Sequence, residues 1–90
     1  MKSMDEIIVK NYSSVLLHEA AAYFTDAEIR EVADFEDVGE YGLALQTFVD
    51  IVLEEGKHIP MSSLSIIEKL ASIMNITEDI DLVSLWKAAN

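Results

Sequence analysis

Apolar side chains recur every three or four residues through most of this chain, which is the spacing that places them on one face of an α-helix. The pattern is broadest between Gly39 and Gly56. Its apolar stripe comprises Tyr41, Ala44, Leu45, Phe48, Val49, Ile51 and Val52. Its narrow polar face comprises Gln46, Thr47, Asp50 and Glu54. Because other segments must cover so wide a stripe, we expect a central helix at about residues 40–55. Each glycine is expected to end a helix in the left-handed conformation.

Two capping boxes lie in the N-terminal half of the chain. In this motif a Ser or Thr side chain caps a helix, and a Glu three residues later bonds back to the cap. The first box, at residues 3–6, predicts a helix over about residues 4–23, either continuous or kinked near Asn11. The second box, at residues 25–28, predicts a helix that ends at Val38.

Two further helices are predicted after the central one. Pro60 blocks helix continuation, and Ser62 is the expected cap of a helix over residues 63–74. Asn75 is a favourable left-handed terminator of that helix, and Thr77 is the expected cap of the last one. The expected inner side of the last helix is formed by Ile80, Val83 or Leu82, and Trp86.

The length and composition of the chain support one small domain. Ninety residues can form a hydrophobic core without disulfides or metal, so we predict an all-α fold. It should be a single helical domain over residues 1–90, a compact bundle of about five helices around the central one. The chain has no cysteine, no signal-like segment and no apolar run of bilayer length. We therefore expect a cytoplasmic protein that does not enter membranes.

Charge is the strongest global feature of the sequence. There are 17 acidic residues against 6 Lys and Arg, and the net charge is −11 at pH 7. Such a field repels phosphate backbones and anionic lipids, and it accelerates encounter with basic proteins. Direct binding of nucleic acid is therefore disfavoured. The alternative explanation, that the acidic composition serves only solubility, stays open.

The carboxylates are concentrated around the second predicted helix, where Arg30 is the only basic residue. The candidate partner-binding residues are Glu28, Glu31, Asp34, Glu36, Asp37 and Glu40. Several of them lie three residues apart without a basic residue at the (i, i+4) position, so they repel one another. A run of charges commonly forms only a solvated face, whereas a docking basic protein would remove the repulsion. Both readings stay open.

No pattern in the sequence indicates catalysis, a metal or a cofactor. His18 and His58 do not have the spacing of two ligands on one helical face, and the acids at 34–37 do not match a calcium loop. No serine lies in a Gly-x-Ser-x-Gly elbow, and the Asp-Ser-Leu of an acyl carrier is absent. We therefore expect a binding protein that is not an enzyme and that needs no cofactor.

One segment resembles a known family. Residues 39–45, Gly-Glu-Tyr-Gly-Leu-Ala-Leu, precede an acidic helix end at Glu54-Glu55, an Ile59-Pro60 loop, and then Ile67, Leu70 and Met74. This arrangement resembles the MafI-type immunity proteins of bacterial polymorphic-toxin and contact-dependent-inhibition systems, over roughly residues 28–75. The resemblance implies a small, acidic, cytosolic protein that binds and blocks one toxin domain, often a nuclease. It implies no particular binding residues.

These observations together lead to two alternative hypotheses. The first is an immunity protein that neutralises a cognate toxin, expected to be a basic nuclease, by covering its active or nucleic-acid-binding surface with an acidic face. The second is an acidic helical adaptor or regulatory module that binds another cytosolic protein, or a second copy of itself as a homodimer.

Overall fold

The computed structural model describes residues 4–90 as five α-helices and one short 3₁₀ helix. The α-helices are α1 (Met4–Ala20), α2 (Asp26–Asp37), α3 (Tyr41–Glu54), α4 (Met61–Ile73) and α5 (Leu82–Ala89), and the 3₁₀ helix spans Thr77–Asp79. No strand occurs within the described range. The prediction of an all-α bundle of about five helices is confirmed.

The centre of the bundle is α3, which contacts each of the other four α-helices. The most extensive packing is that of α2 against α3 and of α1 against α4. Six α3 side chains are buried: Ala44, Leu45, Phe48, Val49, Ile51 and Val52. The predicted central helix is therefore confirmed, with Tyr41 only half-buried at its start.

An aromatic cluster packs against α3 in the core. The fully buried ring of Phe48 lies 4.5 Å, centroid to centroid, from the ring of Phe24, and the ring of Tyr23 lies perpendicular to it at a centroid distance of 6.4 Å. The loop before α4 also enters the core, because Ile59 is fully buried and its N–H donates to the Ala88 carbonyl at 3.2 Å. This bond ties α5 to the α3–α4 connection.

Three helices end in the same way, with a left-handed residue immediately beyond the helix. The residues are Gly39, Gly56 and Asn75, whose φ angles are 78°, 63° and 58°. After each, the next amide donates back to a helix carbonyl at 2.9 Å, in the pairs Glu40 to Phe35, Lys57 to Val52 and Ile76 to Ala71. This is the Schellman arrangement, which favours Gly and tolerates Asn. All three predicted terminators are confirmed.

The N-terminal helices differ from the prediction in one boundary. Thr25 and Glu28 form the expected capping box, with bonds of 2.8 and 3.1 Å. However, α1 ends at Ala20 and not at Tyr23, because the chain turns there to place the aromatic residues at 23 and 24 against the core. The helix is continuous through Asn11. The cap predicted at Ser3 lies outside the described residues.

Two predicted caps in the C-terminal half are wrong. Ser62 does not cap α4, which already begins at Met61 after Pro60. Thr77 does not cap the last helix, because it starts the separate 3₁₀ turn, and Asp81 caps α5 instead by accepting a 3.0 Å bond from the Ser84 N–H. That bond and the one from the Ser84 hydroxyl lower the pKa of the Asp81 carboxyl.

The later start of α5 changes which of its side chains face the core. Trp86 is 56% exposed, so its assignment to the inner side is wrong, and Val83, one of the two alternatives offered there, is 69% exposed. Leu85 is fully buried in their place, and Leu82 is half-buried. Ile80, which precedes the helix, is buried as predicted.

Candidate acidic binding surfaces

The first acidic surface is a groove between α2 and α3 with a volume of about 290 Å³. Typical ligand pockets hold roughly 300–1,000 Å³, so the groove is slightly smaller than these. Five carboxylates line it: Glu28, Glu31, Asp50, Glu54 and Glu55. No basic residue lines this groove within the described chain. We call it the acidic groove. It arises because α2 packs along α3 and brings acids from both helices together.

One carboxylate of the acidic groove is already used by the fold. Glu28 completes the capping box with Thr25 and forms a 2.8 Å ion pair with Lys57. The hydrogen bond from Lys57, followed by the bond from the Thr25 backbone, lowers the pKa of Glu28. The Lys57 ammonium also lies 5.8 Å from the centroid of the Phe24 ring. Glu28 is therefore held in place, and the other four acids carry the unneutralised charge.

The ends of α2 and α3 carry acids where helices favour bases. The last turn of α2 contains Glu36 and Asp37, the last turn of α3 contains Glu54, and neither turn contains a basic residue. Carboxylates at a helix C-terminus face the negative end of the helix dipole, which disfavours them by roughly 0.3–1 kcal/mol each when exposed at low ionic strength. Helix stability therefore does not account for these acids.

The second acidic surface is an open cleft of about 1220 Å³ between α1 and the junction of α2 with α3. Apolar side chains line much of it: Val9, Leu17, Ile29, Tyr41, Ile73 and Met74. Its acidic residues are Asp5, Glu6, Asp26, Glu36, Asp37 and Glu40. Among residues 4–90, the basic residues that line it are Lys10 and His18. We call this surface the cleft.

Glu36 has the most unusual environment of these acids. Its side chain is half-buried, and it borders both the cleft and a small cavity in the core that is also lined by Ser13 and Phe48. Burial, and then the neighbouring charge of Asp37, raise the pKa of Glu36 to about 7. Within residues 4–90 its carboxyl forms no hydrogen bond or ion pair. Burial and the charges of Glu36 and Asp37 also raise the pKa of Tyr41.

The six predicted partner-binding residues therefore do not form one face. Glu28 and Glu31 line the acidic groove, whereas Glu36, Asp37 and Glu40 line the cleft. Asp34 is exposed and lines neither. The residues that the prediction omitted are Asp5, Glu6, Asp26, Asp50, Glu54 and Glu55.

A sequence signal for part of the acidic groove was present. Asp50 and Glu54 lie four residues apart on the polar face of the central helix, without a base beside them. The acids of α1 offered no such signal, because only the folded bundle brings them near α2.

Two other kinds of site do not occur in the described residues. No helix in the described part of the chain is both long and apolar enough to cross a bilayer. Nor do three or more potential metal-binding side chains gather anywhere in residues 4–90. No family model matches the chain, and no curated protein or solved structure matches it.

Proposed function

We propose that this protein is an immunity protein that binds a cognate bacterial toxin domain in the cytoplasm and neutralises it. The toxin would be a basic nuclease, and the acidic surfaces would cover its active or nucleic-acid-binding face. One observation carries the proposal: among the residues that the structure describes, two neighbouring surfaces that share α2 both contain far more acids than bases. The resemblance of residues 28–75 to MafI-type immunity proteins supplies the toxin class.

Electrostatics supports a basic protein as the partner. Acids such as Glu54 and Asp37 repel their neighbours in the free protein, and Lys or Arg side chains of a partner would relieve that repulsion. Complementary charge also steers encounter and raises the association rate. A nuclease must itself present a basic surface to phosphates, so an acidic inhibitor can compete for that surface.

The test uses the reading frame upstream of the gene for this protein. That frame should encode a protein that stops growth when expressed alone, and co-expression with this chain should restore growth. The two proteins should also co-purify at low salt. A neighbouring product that binds without being toxic would favour the adaptor hypothesis. A neighbouring product that is not toxic and does not bind would reject the proposed function.

Self-association needs a separate measurement. Sedimentation of the purified chain at several concentrations distinguishes a monomer from a homodimer. An adaptor that acts only as a homodimer would sediment as a dimer, and the product of the neighbouring frame would neither stop growth nor co-purify with it.

A further inference from the structure

The second acidic surface differs from the first in its apolar walls. We propose that the cleft is the docking site for a basic amphipathic segment of a partner protein, and that one Lys or Arg side chain of this segment lies beside the Glu36 carboxyl. This inference rests on the proposed function for its partner class, a basic protein. It adds the surface, the type of segment and the central contact.

The shape and lining of the cleft fit a chain segment better than a single side chain. The cleft is open and holds about 1220 Å³. Leu17, Ile29, Ile73 and Met74 line it and are only partly buried, so part of their apolar surface still contacts solvent. Covering that surface with apolar side chains of a partner would be favourable. The acidic groove is smaller, at about 290 Å³, and its lining is dominated by acids.

The charges around the cleft specify a basic segment. On α1 the ionisable groups are Asp5, Glu6, Lys10 and His18. On α2 and at the start of α3 they are Asp26, Asp37, Glu40 and Tyr41. The last residue of α4, Ile73, and its C-cap, Met74, are apolar. Besides Glu36, the described lining of the cleft therefore contains more acids than bases, so a cation in the cleft would be attracted on balance.

Two half-buried carboxylates on α2 make the position of the cation specific. Glu28 is paired with Lys57 at 2.8 Å, whereas Glu36 has no ion-pair partner within residues 4–90. Among the described lining of the small core cavity beside Phe48, Glu36 is the only acid. A partner cation next to Glu36 would therefore form an ion pair with it, as Lys57 does with Glu28.

This arrangement couples binding to a proton. Because the pKa of Glu36 is about 7, a large part of the free protein carries a proton there at neutral pH. A docked cation favours the ionised carboxylate, so binding should release a proton and tighten from about pH 6 to about pH 8.

The first experiment maps the site with a defined probe. The isotope-labelled full chain is titrated with a synthetic amphipathic helix of Leu and Lys, and with a matched peptide in which every Lys is replaced by Gln. The Lys peptide should cause saturable NMR shift changes at Leu17, Tyr41 and Ile73. Changes confined to Asp50, Glu54 and their neighbours, or equal binding of the Gln peptide, would overturn the proposal.

The second experiment tests the role of Glu36 by calorimetry in buffers with different ionisation enthalpies. Glu36→Gln should weaken binding of the Lys peptide by roughly 3- to 10-fold and abolish proton release, because the central charge is lost. Glu68→Gln removes an exposed charge outside both surfaces and should keep proton release. Proton release that persists in Glu36→Gln would overturn the assignment.

The outcomes also separate this inference from the proposed function. Rescue from the toxin with no peptide binding in the cleft would leave the immunity function standing and would reject the cleft. Peptide binding in the cleft without a toxic neighbouring frame would support the cleft as a docking site and would reject the immunity function.

Discussion

Ser63 donates a hydrogen bond from its hydroxyl to the Glu19 carboxylate at 2.9 Å, and this bond joins α4 to α1. The Ser63 oxygen in turn accepts a 2.8 Å bond from the Tyr23 hydroxyl. Ser63 is fully buried, and burial raises the pKa of Tyr23. The bonds satisfy polar groups that would otherwise be costly to bury. Ser63, which follows Ser62 in the sequence, thus links two helices.

Ser63→Ala should lower the free energy of unfolding by about 1–3 kcal/mol, because Tyr23 loses its partner and Glu19 loses the shorter of its two serine bonds. The matched control is Ser62→Ala, whose hydroxyl is exposed and lies 3.4 Å from the same carboxylate. It should change stability by less than about 0.5 kcal/mol. Urea denaturation measures both values. Equal losses would show that the buried bonds do not stabilise the α1–α4 contact.

Phe48→Ala should destabilise the protein by about 3–5 kcal/mol, because it leaves a cavity beside Phe24 and Tyr23 in the centre of the bundle. Leu43→Ala on the same helix is the control, since Leu43 is 46% exposed. Thermal denaturation compares the two variants. A loss below about 1 kcal/mol for Phe48→Ala would contradict a core built around α3.

Leu85 and Trp86 are adjacent, and they test the phase of α5. Leu85→Ala should cost about 2–5 kcal/mol because Leu85 is fully buried, and Trp86→Ala should cost less than about 1 kcal/mol because Trp86 is 56% exposed. The fluorescence of Trp86 should resemble that of tryptophan in water. A blue-shifted emission together with a large loss for Trp86→Ala would reverse the assigned faces.

Glu36→Gln should change how stability depends on pH. The pKa of Glu36 rises from 4.5 to about 7 on folding, so ionisation is disfavoured in the folded state. The contribution of Glu36 to the stability of the wild-type protein should therefore be fully present below about pH 4.5. It should fall as the pH rises to about 7, and it should change no further above that. At about pH 8 the variant should be more stable by about 1–2 kcal/mol, after allowance for solvent screening.

Melting temperatures across this pH range measure the effect of Glu36→Gln. Glu68→Gln is the control, because it removes one exposed charge on α4 without removing a half-buried carboxyl. If the stability of Glu36→Gln relative to the wild type did not increase between about pH 5 and about pH 8, the burial of Glu36 would be contradicted.

The combined change of Glu31, Asp34 and Asp37 to their amides should leave the fold intact or slightly stabilise it, since it relieves repulsion along α2. Binding to the cognate toxin should weaken. For exposed carboxylates the loss should lie mainly in the association rate and should shrink at high salt, whereas a fully desolvated carboxylate would cost about 2–5 kcal/mol.

The matched control for that triple change has the same net charge. It converts Glu68, Glu78 and Asp79, which are exposed and line neither acidic surface, to their amides. Association and dissociation rates at low and high salt compare the two variants. If both bound equally well, net charge would matter and the position of the acids on α2 would not.

Short-range patterns of the sequence predict much of this fold. The 3.6-residue period places Phe48 and Val52 on the buried side of α3, and the Thr25 capping box and the left-handed residue Gly56 define helix ends. These features depend on a few consecutive backbone units and their immediate side chains, so neighbouring residues determine them. Their agreement with the structure has that local cause.

The tertiary structure decided the features that depend on which helices meet. The pairing of Lys57 with Glu28, the burial of Glu36 and the division of the acids between two surfaces all require α1, α2 and α3 to pack in one particular way. The phase of α5 likewise depends on whether Thr77 or Asp81 begins the helix, and both residues are good caps. Packing of Leu85 against the core selects Asp81, because burial of that side chain is a non-local contribution that periodicity alone does not contain.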